Sequence, residues 1–547
     1  MSRGISLKIV WYRLTKSVWS FPGYVRERGG AAFILLGLSG FLGVPLSGIA
    51  LAGDAQAEEE ISLIESVNTT LSKDPVIQIE KRQVEISKGS LEARSSVFDL
   101  EFDGVGSNGT SRDPLTEAQQ SALGDGRDKL QTDSAVLSAG LSKLFRSGWL
   151  LAPTLTTSRT ETDTSGTVAA NSTSFDISAS YPLLRGRGRE VVTSGETSSK
   201  LNLESARMTL KHLVSIRVLN TATAYFDYVS AHKSLSILRE SENRAQLLVN
   251  ETKRLIEADE VPANESLQLL ANLADKTASR ISQQQALFDA KQALGLAMGL
   301  DLSAITDLGM PSDTFPDFSK WEAPARDEEA FFIEEAFRRR FDLKSAETLL
   351  RIAQIQQTVS RNGLKSKLDF SLQAGYNSLD EGSSYDQFFG SIANDPGFNA
   401  TATLQYQWTF KNQSAKGTFR SASATLEQNI LQTDDLKRNI ASSVLSAIEA
   451  LRSKGEELKA SSEAIQLYQS AINNEKKKFR LGFSTLLDVI SLEDRLTSTL
   501  LSYLNRQALY TVAILNFRFQ IGLLDKWETN TDSMTYNDLL GVPQATQ

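Results

Sequence analysis

The chain has 547 residues, 58 lysines and arginines against 66 aspartates and glutamates, a formal net charge of −8, two histidines and no cysteine. The acidic balance argues against a nucleic-acid partner, whose phosphates demand basic contacts. The absence of cysteine excludes disulfides, thiolate metal sites and a lipid-modified N-terminal cysteine together.

Residues 1–57 read as an export signal: Arg3, Lys8, Arg13, Lys16, Arg26 and Arg28 precede an apolar run from Ala31 to Ala52, and Ala55 and Ala57 offer a small-residue cleavage site before Glu58. The run is about as long as the ~20 residues that span a bilayer, so an uncleaved anchor is the competing reading. Gly37, Gly40, Gly43, Pro45 and Gly48 weaken that helix. Beyond the leader no apolar run suits a membrane helix. A barrel strand escapes that test, because it is apolar only at every second position.

From Ile61 to about Ala93 the spacing is helical, interrupted at Asp74-Pro75. Phe98, Leu100 and Phe102 then alternate with acids, a strand pattern, and Gly104 to about Arg127 has the Gly, Ser, Asp and Asn content of a loop. Two β-like runs, Val136 to Phe145 and Trp149 to Thr157, flank Arg146-Ser147-Gly148, and a polar loop follows from Glu161 to Thr173. Phe175, Ile177, Ala179, Tyr181 and Leu183 alternate with polar residues. From about Glu190 to Ile256 the pattern is helical without a proline, a rod of ~100 Å at ~1.5 Å per residue. It breaks at Asp259 to Pro262, and Pro262 is placed to open a helix running to about Gly299. Asp301 to Asp327, with three prolines, reads as an irregular connector.

The plan then recurs: a helix from about Glu328 to Arg361, a strand from Leu368 to Tyr376, a polar loop from Asn377 to Gly397, and a strand from Phe398 to Phe410 with every apolar residue on one parity. Such alternation suits a strand with one face in lipid and aromatics where that face meets the headgroups; a half-buried strand of a soluble sandwich alternates equally well. A second proline-free rod runs from about Ser414 to Arg480, breaks at Leu481-Gly482-Phe483, and is followed by a helix to about Gly522. Phe175 and Phe398, Leu203 and Leu426, Ala224 and Ala447, Leu235 and Leu458, Lys253 and Lys476, and Gly299 and Gly522 are all separated by 223 positions. One offset spanning strand, rod and return helix predicts two internal repeats. In the second rod Val444, Leu451, Leu458, Ile465, Ile472 and Phe479 recur every seventh residue, a coiled-coil period. The first rod answers with Tyr228, Leu235, Val249 and Ile256, interrupted at Glu242. The domain plan is therefore a signal peptide (1–57), a first repeat (58–300), a connector (301–327), a second repeat (328–523) and a C-terminal tail (524–547).

Chemistry is sparse. His212 and His232 lie within a rod with no accompanying ligand cluster, and there is no nucleophile elbow, phosphate-cradling loop or zinc spacing. Gly186-Arg187-Gly188 lacks the third glycine and the βαβ setting of a dinucleotide site, and reads as a strand-to-helix turn. Nothing suggests an enzyme or a cofactor.

The ordered plan resembles the TolC-like outer membrane factor family. Phe479 to Val489, with Gly482 and Asp488, is similar to that family's tip motif of an aromatic, a glycine and an apolar–Asp–Val run. Arg340-Phe341-Asp342-Leu343 is similar to its Arg-x-Asp-Leu segment, and Tyr181 to Gly186 to a Pro-Leu-Leu-Arg-Gly turn. The resemblance implies an α+β membrane protein: a homotrimer in the outer membrane of a diderm bacterium, each chain giving four strands to a shared β-barrel continuous with a periplasmic α-helical coiled-coil barrel. It implies an exit channel for efflux or type I secretion, a passive conduit for small molecules or polypeptides, partnered by a periplasmic adaptor and an inner-membrane transporter. The alternative is a soluble periplasmic coiled-coil scaffold. On the channel reading Asp488 and Glu265, 223 positions apart, form a periplasmic aperture; each could equally be an ordinary acid in a first helical turn. Asp259, Val261, Pro262, Gly482, Phe483 and Ser484 form the adaptor-docking tips, and Tyr406, Trp408 and Phe410 an aromatic belt toward outer-membrane lipid. The chain departs from the family at Asp259, where a glycine is usual, and at Ser491, where some members carry a second acid.

Overall fold

The computed structural model describes residues 60–124, 126–164, 168–257, 265–316, 318, 324–382, 384, 397–524 and 536–543. The candidate signal lies outside the described residues. After strand β1 (Glu60–Ile61), helices α1 (Leu63–Lys73) and α2 (Pro75–Ser95) meet at Asp74. The Asp74 carboxylate accepts from the backbone N–H groups of Val76 (2.7 Å) and Ile77 (3.2 Å), with Pro75 at the first helical position. This N-cap explains the interruption read from the sequence. A 3₁₀ turn (Ser96–Phe98) leads into β2 (Leu100–Pro114), followed by α3 (Glu117–Leu123), β3 (Lys129–Leu144), β4 (Leu150–Thr162) and β5 (Ala170–Pro182). The short α4 (Arg189–Val192) precedes the 64-residue α5 (Ser194–Glu257), and α6 (Glu265–Ala297) returns along it. The connector holds α7 (Leu302–Thr306) and β6 (Met310–Pro311), which pairs in parallel with β1. Then come α8 (Glu329–Arg339), α9 (Phe341–Gly363), β7 (Lys367–Glu381), β8 (Gly397–Gln407), the 68-residue α10 (Gln413–Arg480), α11 (Leu486–Gln520) and α12 (Tyr536–Leu540).

The expectation of four strands per chain is corrected: six strands form one antiparallel sheet in the order β2-β3-β4-β5-β7-β8. The segment expected as a loop from Gly104 continues β2 to Pro114, paired with β3 as far as Lys129. Its composition is turn-like, but pairing rather than propensity decides a strand of this kind. The predicted loops shrink likewise, since β4 reaches Thr162 and β7 reaches Glu381. Residue parity is continuous across the ladder: Phe175 sits opposite Leu155 and Tyr376, and Tyr376 opposite Phe398. One face therefore carries Phe102, Leu141, Leu155, Phe175, Ile177, Phe370, Leu372 and Leu404, and the other mainly Ser, Thr, Asn and Gln, with Glu101, Asp103, Asp176 and Asp369. The apolar face is about nine to eleven residues tall, the span of a tilted membrane strand. The helices that adjoin the sheet, α2, α4 leading into α5, α9 and α10, all do so at one end, at Leu100, Pro182, Lys367 and Gln407. The outer strands β2 and β8 are exposed along their whole length.

The helical part has a core in each half. One gathers Leu63 and Val67 of α1, Val218 to Val229 of α5, Leu294 of α6 and Met298 just after it, and Leu539 and Leu540 of α12. The other gathers Phe332 of α8, Leu343 of α9, Ile440 to Leu458 of α10 and Ile514 and Phe517 of α11. The residues read as a tail thus contribute a packed turn of helix. The heptad stripe turns inward, with Val444, Leu451, Leu458 and Ile472 buried, as are Tyr228, Leu235 and Val249. Where Glu242 breaks the first stripe, Arg280 of α6 donates to it at 2.7 Å, so an ion pair across the hairpin replaces an apolar contact. The helix expected from Glu328 to Arg361 divides at Arg340, whose backbone is extended (ψ 126°). The return helices end on glycines with positive φ, Gly299 (+71°) and Gly522 (+75°). An added Cβ would lie 2.7 Å from the Asp74 Cα in the first case and 2.9 Å from the Arg339 Cβ in the second, so each glycine sits against a break between two short helices.

Candidate functional site at the helical tips

The α10–α11 hairpin turns through five residues. The Gly482 N–H donates to Phe479 O (3.0 Å) and the Phe483 N–H to Lys478 O (2.9 Å), a Schellman closure that needs the positive φ (+76°) of Gly482. Ser484 then donates from Oγ to Glu475 Oε1 at 2.5 Å, and Lys478 pairs with Glu475 Oε2 at 3.1 Å. Thr485 caps α11: its Oγ1 accepts from the Asp488 N–H, while the Asp488 carboxylate accepts from the Thr485 N–H (3.1 Å) and hydroxyl (2.6 Å). The Thr485 hydroxyl holds the Asp488 carboxyl below its usual value. Asp488 is exposed and charged, and in the single chain it is a capping residue. Its partner by offset, Glu265, opens α6. Asp259, Val261 and Pro262 lie outside the described residues. Leu481, Phe483 and Leu487 leave an apolar patch on the described tip.

Just above the turn a charged knot ties the hairpins together. Glu493 of α11 accepts from Arg244 of α5 (2.9 Å) and Lys476 of α10 (2.5 Å), and Lys276 of α6 pairs with Asp494. A cavity of about 850 Å³ lies among these side chains, walled also by Phe479 and Ile490. Sequence reading did not single out Glu493, although a signal was present: it falls as a lone charge in the inward stripe of uncharged residues Leu486, Ile490, Thr497 and Leu504.

At the sheet's helical end Tyr406, Trp408 and Phe410 are exposed, with the Trp408 and Phe410 rings 4.7 Å apart. β8 ends at Gln407, so the latter two follow the strand instead of lying in it. Trp149, stacked on Tyr181 at 4.9 Å, sits at the same end and was not anticipated. The turn between β3 and β4 is pinned there: Arg146 makes a two-pronged pair with Glu196 of α5 (2.6 and 2.9 Å) and lies 4.7 Å over the Phe98 ring.

The sequence family described as outer membrane efflux protein matches residues 332–523. No curated protein matches in sequence. The fold is similar to that of the Campylobacter jejuni CmeC outer membrane channel (14% identity, 90% of this chain and 96% of that one, TM-score 0.61). It is also similar to the outer membrane protein VceC of Vibrio cholerae (14%, 84% and 96%, TM-score 0.61) and to a membrane protein from Pseudomonas aeruginosa (15%, 86% and 93%, TM-score 0.63). The matched stretch runs from α8 through α11, so this part of the chain is similar to the outer membrane efflux proteins, and the likeness to the solved channels extends the shared fold over most of the chain.

Proposed function

We propose that three copies of this chain form the exit channel of a tripartite efflux or type I secretion system, a passive conduit for small molecules or polypeptides delivered by a periplasmic adaptor and an inner-membrane pump. The sheet carries this reading. Its apolar face is continuous across six strands, its other face is polar, and its two edges are open. In lipid each unsatisfied backbone group costs several kcal/mol, so a single sheet must close with others. Apolar side chains left bare on the rods, among them Leu247, Leu267, Leu296, Leu431 and Leu467, suit burial between neighbouring chains. Among the described residues no helix is long and apolar enough to cross a membrane, and the strands need none. A periplasmic scaffold would have no use for a six-stranded sheet with one continuous apolar face.

In the assembled channel the hairpin tips narrow the periplasmic mouth. Asp488 and Glu265 ring that opening, and the adaptor docks on Gly482, Phe483 and Ser484 with their counterparts Asp259, Val261 and Pro262. A channel of this design has no energy source, so substrate choice belongs to the pump. The test is to extract the protein from salt-washed outer membranes, measure its mass by light scattering and reconstitute it in planar bilayers. A trimer with steady ohmic conductance is expected; a monomer that leaves the membrane with salt and conducts nothing would refute the channel.

A further inference from the structure

We infer that β2 and β8 are the two halves of one joint between copies of this chain, and that the closed wall has eighteen strands. The inference rests on the trimeric reading above and fixes what that reading leaves open, namely which edges meet and how wide the barrel is. β2 rises from α2 at the helical end of the sheet, and β8 descends into α10 at that end. Set side by side they are antiparallel, so the alternation of six strands per chain continues around the ring without a parallel pair. Parity matches as well, because Phe102 on β2 and Leu404 on β8 occupy the same apolar face of the sheet. Both strands are bare along their lengths, whereas every strand between them is paired on both sides.

The strands β3 and β4 are integral to the wall. β3 pairs with β2 over fifteen residue pairs, from Leu100 with Lys143 to Pro114 with Lys129. β4 continues the apolar face into β5, Leu155 opposite Phe175. Their turn is held to the rod by Arg146 and Glu196. A wall that left this hairpin out would have to break both ladders. With strands ~4.8 Å apart and tilted ~40°, eighteen strands give a barrel ~36 Å across between backbones, against ~24 Å for twelve. The lumen wall then repeats Glu101, Asp103, Asp176 and Asp369 three times.

The absence of native cysteine makes thiol cross-linking a clean test. Phe102→Cys is combined in turn with Ala400→Cys, Ala402→Cys, Leu404→Cys and Tyr406→Cys, a row that covers the possible registers. A short bifunctional thiol reagent is applied in outer membranes. One combination should yield covalent dimers and trimers, while each single variant stays monomeric on a denaturing gel. Leu155→Cys with Phe175→Cys should cross-link within one chain, and Leu155→Cys should give no product between chains with the β8 row. Joining of Leu155→Cys to β8 of another copy, or failure of the Leu155→Cys and Phe175→Cys pair, would overturn the eighteen-strand wall. So would a protein of trimeric mass in which no Phe102→Cys combination joins. A non-trimeric mass would overturn the channel reading itself.

Discussion

His212, Arg340 and Asp342 meet where α5, α9 and α11 converge, and their charges set an acid limit to the fold. Burial pushes the His212 pKa down, against the Asp342 carboxylate 3.9 Å away. Burial would raise Asp342, but the Arg340 fork at 2.7 Å outweighs it and holds the carboxyl below its usual value. A histidine with depressed pKa takes up its proton in the unfolded chain first. Stability is therefore lost as pH falls from about 6.5 toward the folded value. Asp342 contributes above about 3.9, and its contribution disappears as pH falls through its lower folded value. Melting temperature should drop between pH 7 and pH 5, and His212→Gln should flatten that drop; an unchanged slope would remove His212 as its cause. The sequence showed Arg340 and Asp342 as a motif and His212 as a residue of the first rod with no ligand cluster. Their meeting was illegible because it spans more than a hundred residues of chain. Asp488 is the reverse case, since its capping geometry is local and was one of two readings the sequence left open. In bilayers Asp488→Ala should lower cation selectivity and relieve block by a multivalent cation from the periplasmic side. Unchanged selectivity in an intact trimer would leave it only the cap.

The long helices were legible to within a few residues because each is a proline-free helical pattern over more than sixty positions, with a heptad stripe along part of it. The strands were legible only inside the apolar band. Above it, as along Ser107 to Pro114, both faces are polar, alternation vanishes and only the partner strand declares the element. At the tips the element that matters is the tie made by Glu493 to Arg244 and Lys476. Glu493 is 16% exposed, so Glu493→Gln strands two cations near a poorly solvated acceptor. The cost should be on the order of 1–3 kcal/mol, less than for a fully buried pair. Because the tie joins the two hairpins, its loss should appear as more frequent openings in single-channel records with little change in conductance when open. Records identical to wild type would show that the tie does not restrain the mouth. Gly482→Ala tests the turn itself: at φ +76° a side chain costs about 1 kcal/mol, and hydrogen exchange should rise around 479–485 while the sheet end stays protected.

At the scale of the whole molecule the direction of insertion follows from where elements join. The helices attach at Leu100, Pro182, Lys367 and Gln407, and the β3–β4 turn at 145–149 lies at the same end. The opposite end carries α3 and the described strand ends at Thr162, Ala170, Glu381 and Gly397. On the channel reading the rods, ~100 Å long, lie on the periplasmic side, and the aromatic end of the sheet, with Trp149, Tyr406 and Trp408, meets the inner headgroups. That reading puts the end of the sheet away from the helices outside the cell and the turn at Gly482 deep in the periplasm, and both placements can be tested. A short epitope inserted after Ser384 or within 163–169 should be stained on intact cells. One inserted after Gly482 should be stained only once the outer membrane is permeabilised. Staining at Gly482 on intact cells, with silence at the other two sites in a correctly assembled trimer, would invert the molecule.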